Sequence, residues 1–92
     1  MTAEERQEFA ELFAKTLRRV MEEQGYDLDP SIWRGCRELE RCIRKTTGFE
    51  LKHFVIAHLL QAKREPTYSE LVLIDSTLGT GWFKLPNTEE GK

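Results

Sequence analysis

The chain predicts an all-α fold, a compact bundle of three to four helices with a short C-terminal aromatic tail, on three observations. Apolar residues recur at three- and four-residue steps through successive stretches of the chain. Thr2 with Glu5 and Thr67 with Glu70 have the spacing of capping boxes, one at each end of the helical region. Gly25, Gly48 and Gly79 stand where helices commonly end in a left-handed residue.

The first helix is expected over Ala3 to Gln24, opened by Thr2 and closed by Gly25. Phe9, Leu12, Phe13, Leu17, Val20 and Met21 share one face, expected to be core or interface, and Glu8, Glu11, Lys15, Arg18, Arg19 and Glu22 solvate the other. Tyr26 to Pro30 reads as a turn, because Pro30 disfavours helix at Asp29. A second helix runs from Ser31 to Thr47, with Ile32, Cys36, Leu39 and Ile43 as its buried stripe and Gly48 as its stop. The third, from Glu50 to Lys63, is apolar nearly all round. Leu51, Phe54, Val55, Leu59 and Ala62 lie on one face, Ile56 and Leu60 on another. Such a helix belongs at the centre of a fold or between subunits, so Ile56 and Leu60 are the expected self-association residues. A fourth helix, Tyr68 to Leu78, is favoured over a hairpin of Leu71-Val72-Leu73-Ile74 with Trp82-Phe83-Lys84-Leu85, because two cap signals agree. The hairpin alternative would make the fold α+β and winged-helix-like. Residues 1–86 are expected to form one domain, with Trp82 to Pro86 docking its aromatics and residues 87–92 frayed.

Ninety-two residues support a single core, since a chain of this size buries only roughly 60–65% of its unfolded surface. A composition 39% hydrophobic and 33% charged is that of a globular protein, and a partner subunit is the natural way to add buried area. The net charge of −2 argues against coating nucleic acid through overall charge. No apolar run approaches the ~18 residues of a membrane span. The start Met-Thr-Ala-Glu-Glu has neither the basic nor the apolar region of a secretory signal, and two cysteines, Cys36 and Cys42, fit a reducing cytoplasmic setting with free thiols.

Metal-ligand spacing is absent. Cys36 and Cys42 are six residues apart and His53 and His58 five apart, so on helices each pair points in divergent directions. His58 reads instead as a core-edge histidine. An enzyme would have to use Cys42 with His53, yet no signature of an activated thiol surrounds either. Gly79-Thr80-Gly81 lacks the strand, helix and lysine of a phosphate loop. The expectation is therefore no catalytic residue, no metal and no cofactor.

The most informative feature is on the second helix. Arg34, Arg37, Arg41, Arg44 and Lys45 share the arc opposite its buried stripe, with Trp33 at the edge. Guanidinium groups grip carboxylate or phosphate bidentately, so these six residues are the candidate partner- or anion-binding set. The plain alternative is a solvated face neutralised by its own acids, since Arg34 with Glu38 and Glu40 with Arg44 stand at i,i+4 spacing.

Gly35-Cys36-Arg37-Glu38-Leu39-Glu40-Arg41 resembles, over seven residues, the base-reading helix of one Puf RNA-binding repeat. Such proteins stack several repeats, and this chain holds no second copy. The expected function is a non-enzymatic protein-interaction module, an adaptor, regulator or inhibitor, that pairs with another protein or with itself as a homodimer. The alternative is a nucleic-acid-binding regulator using the basic face.

Overall fold

A computed structural model describes residues 1–82 and contains four helices: α1 Ala3–Glu23, α2 Trp33–Thr47, α3 His53–Leu60 and α4 Tyr68–Leu78. Both capping boxes are formed, Thr2 with Glu5 and Thr67 with Glu70 each exchanging side-chain and backbone hydrogen bonds. Gly48 and Gly79 end α2 and α4 in the left-handed region, where glycine carries no Cβ penalty. Leu71 to Ile74 lie inside α4, so the first arm of the alternative hairpin is helix. The expectations for residues 83–86 and 87–92 fall outside the described residues.

Helix α2 packs on α3 and α4, and α1 packs on α3. The core where they meet holds Phe13, Leu17 and Met21 of α1, Cys36, Leu39 and Ile43 of α2, Ile56, Ala57, Leu59 and Leu60 of α3, and Ile74 and Leu78 of α4. Gln24 Nε2 donates to the Leu78 carbonyl at 2.7 Å, which ties the end of α1 to the end of α4 and satisfies one orphan carbonyl there. Asp75 gathers the turn after α4: its Oδ1 accepts from the Thr80 hydroxyl and, at 2.9 Å, from the Trp82 amide. That turn sets the Trp82 ring edge-on to Phe13, with centroids 5.6 Å apart.

The expectations for α3 are corrected. Helix α3 is eight residues long instead of fourteen, because residues 50–52 precede it as non-helical chain and Ala62 turns left-handed at φ 58°, stopping it after Leu60. A helix that short has too few positions for two separate apolar faces, so Ile56 (0% exposed) and Leu60 (7%) are consumed by the protein's own core. They present nothing to a second subunit. Phe54 is 48% exposed, and His58, expected at the core edge, is exposed with its ring against Phe54. On α1 the buried stripe is Ala10, Phe13, Ala14, Leu17 and Met21, which leaves Phe9 and Leu12 outside.

Gly35 explains how the loop before α2 lies so close to that helix. Its amide donates to the Asp27 carbonyl at 2.8 Å, and Leu28 of the same loop is buried in the core. A Cβ at this position would stand 2.6 Å from Leu28 Cδ2 and 2.7 Å from the Asp27 oxygen. Only glycine permits this approach without displacement.

Candidate functional site

Helix α2 turns Gly35, Cys36, Leu39 and Ile43 inward, and a 3.6-residue period then puts Arg34, Arg37, Arg41, Arg44 and Lys45 outward. All five cations are exposed. From Arg34 to Lys45 the stripe extends over roughly 16 Å at ~1.5 Å per residue, with one cation or two on each turn.

The self-neutralising arrangement does not form. Among the described residues neither Arg34 with Glu38 nor Glu40 with Arg44 makes an ion pair. Arg34 instead reaches the Asp27 carboxylate at 3.4 Å, with its side chain 77% exposed. Glu40 is drawn away from the stripe altogether: its Oε1 accepts from the His53 amide at 3.0 Å and lies 2.8 Å from His53 Nδ1. Glu38 faces the hollow that also holds Tyr26 and Cys42. Arg37, Arg41, Arg44 and Lys45 therefore have no carboxylate within ion-pair distance among the described residues.

Hollows flank the stripe at both ends. Arg41 and Lys45 border one of about 560 Å³ with Gln24, Gly25, Tyr26, Glu38 and Cys42. Burial first, and then its hydrogen bond with Cys42, pushes the Tyr26 phenol far above its ordinary range, so it stays a neutral hydroxyl there. Arg34 and Arg37 border the other, about 320 Å³, with Trp33 and the loop residues Asp27, Asp29, Pro30 and Ser31.

Trp33, 40% exposed, begins a run of edge-on rings. Its ring meets His53 at 6.0 Å, His53 meets Phe54 at 5.9 Å, and Phe54 meets His58 at 6.5 Å. The structure thus brings Trp33 and the basic residues onto one side of the protein and extends that surface with rings from α3. Periodicity did not reveal this extension, because it starts α3 at Glu50, and the uncapped start at His53 is visible only in the structure.

The groups considered for metal or thiol chemistry are dispersed. Cys36 is fully buried, and burial pushes its thiol up to about 11 against the pull of Arg18 and Arg37. Cys42 lines the hollow with Tyr26 and His53 contacts Glu40, so the thiol and the imidazole have different neighbours. Among the described residues no group of three or more His, Cys, Asp or Glu side chains converges as metal ligands would, and no helix is long and apolar enough to cross a membrane.

Comparison with known proteins brings no relative: no family model, no curated protein and no solved structure matches the chain.

Proposed function

We propose that this protein is a non-enzymatic interaction module that docks an acidic segment of a partner protein on the exposed face of α2. The observation that carries the reading is the diversion of that helix's own acids. With Glu40 engaged by α3 and Glu38 making no ion pair, four exposed cations have no carboxylate at ion-pair distance among the described residues, in a chain of net charge −2. Arginine is suited to this task, because its planar fork meets a carboxylate with two parallel hydrogen bonds. The 3- and 4-residue spacing of the cations matches carboxylates carried at the same period on a partner helix. Trp33 at the edge supplies the aromatic anchor that such interfaces favour.

Titration of an acidic helical peptide, with Glu at every third or fourth position, followed by Trp fluorescence, tests this. The expected result is saturable binding that weakens as salt rises and falls about tenfold or more in Arg37→Glu/Arg41→Glu. No binding at low salt, or binding indifferent to that double substitution, would refute it.

A second reading rests on the rings beside the stripe. Trp33, His53 and Phe54 together with free arginines are the elements on which unpaired bases stack. A single-stranded oligonucleotide bound more tightly than the acidic peptide under the same salt would favour this reading over the first. The net negative charge of the chain weighs against it.

A further inference from the structure

Helix α1 leaves two large apolar side chains outside the core, Leu12 at 62% and Phe9 at 37% exposure. Together with Phe13, Thr16, Leu71 and Trp82 they line a mostly apolar groove of about 330 Å³ between α1 and α4. None of these residues belongs to the basic face of α2.

The exposed side of α1 is self-complementary about Leu12. Glu5 stands seven residues before it and Arg19 seven after, two helical turns in each direction, and all three are exposed. Glu8 and Thr16 stand four residues to either side, Phe9 and Lys15 three. When two such helices run antiparallel about a two-fold axis at Leu12, Glu5 of each copy faces Arg19 of the other, Glu8 lies beside Lys15, and Phe9 lies beside Thr16 on the groove side. A parallel pairing would set Glu5 against Glu5 and Arg19 against Arg19, which is repulsive. Both charges are available. The capping box engages Oε1 of Glu5, which accepts the Thr2 amide at 2.9 Å, and leaves its second oxygen. Among the described residues Arg19 pairs only with its own Glu23 at 3.8 Å, an exposed pair easily exchanged for another.

We propose that a second copy of this chain docks on this groove, α1 antiparallel to α1, with Leu12 of each copy at the two-fold axis. The pairing is isologous, so one surface covers both exposed leucines and both phenylalanines at once.

Sedimentation equilibrium of the full chain tests it. The expected result is a reversible dimer whose dissociation constant rises about tenfold or more in Leu12→Asp. Because Leu12 is exposed in the single chain, helix content by circular dichroism should be unchanged by that substitution. Glu5→Lys and Arg19→Glu should each weaken the dimer and the double swap should restore it. The lost cap at position 5 is common to the single and the double variant, so restoration isolates the pair across the axis. A strict monomer at about 1 mM, a dimer that survives Leu12→Asp, or a double swap no tighter than either single would overturn the proposal. So would a monomer destabilised by Phe83→Ala, which would assign the groove to residues 83–92 of the same chain.

Discussion

One carboxylate oxygen of Glu40, on α2, accepts the backbone amide of His53 at 3.0 Å and stands 2.8 Å from Nδ1 of the same residue, at the first position of α3. Lys52, the residue before that helix, offers no side-chain cap. The amides of a first helical turn have no partner inside the helix, and here one is satisfied from a neighbouring helix. The same contact orients the His53 ring against Trp33 and withdraws Glu40 from the basic face.

Replacing Glu40 should therefore lower stability without weakening binding. Glu40→Ala is expected to lower unfolding free energy by about 1–2 kcal/mol, the usual worth of a lost cap. Glu40→Gln, which keeps an oxygen acceptor, should lower it less. Affinity for the acidic peptide should not fall in either variant, because every cation of the stripe is retained. Chemical denaturation and the peptide titration together check this.

Gly35→Ala should destabilise although alanine is the better helix former by roughly 1 kcal/mol. The added methyl would stand 2.6 Å from Leu28 Cδ2 and 2.7 Å from the Asp27 carbonyl oxygen, and that oxygen is already held by the Gly35 amide. Overpacking of this kind lowers stability by about 1–3 kcal/mol. Denaturant midpoints of the two proteins decide the sign.

Acid should weaken the start of α4 through Glu70. Its carboxylate accepts two bonds from the Arg64 guanidinium, at 2.9 and 2.8 Å, and also the Thr67 amide at 2.9 Å. The Arg64 hydrogen bonds, helped by Thr67, hold its pKa below the ordinary Glu value against the opposing effect of burial. A carboxyl depressed in the folded state adds stability above its unfolded pKa and loses it as pH falls through the folded pKa. Glu70→Gln is thus expected to reduce stability by about 1 kcal/mol at neutral pH and to match the unsubstituted protein in acid. Thermal melts from pH 7 down to pH 2 measure that convergence.

The two thiols should react at very different rates. Cys42 is half-buried and borders the hollow beside Tyr26, whereas Cys36 is fully buried with its thiol pushed up to about 11. Alkylation of the native protein at pH 8 is expected to label Cys42 first and Cys36 only on the timescale of global opening. Mass mapping of the modified peptides checks the order, and equal rates would contradict it.

Sequence alone determined what depends on neighbours three or four residues away. The capping boxes at Thr2 and Thr67, the stops at Gly48 and Gly79, the buried stripe of Cys36, Leu39 and Ile43, and the outward arc of Arg34, Arg37, Arg41, Arg44 and Lys45 are all local consequences of helical geometry. Tertiary structure decided the remainder. Ile56 and Leu60 have the composition of an interface but lie in the core, because an eight-residue α3 is packed on by both α1 and α2. Phe9 and Leu12 have the periodicity of core residues but stay outside, because α1 has more apolar positions than its neighbours cover. The five cations are visible in the sequence; that four of them make no ion pair among the described residues is not, since Glu40 finds its partner thirteen residues away. Hydrophobic periodicity says which side chains can leave water. Which of them do, and which charges remain unpaired, depends on contacts between segments whose approach no local pattern encodes.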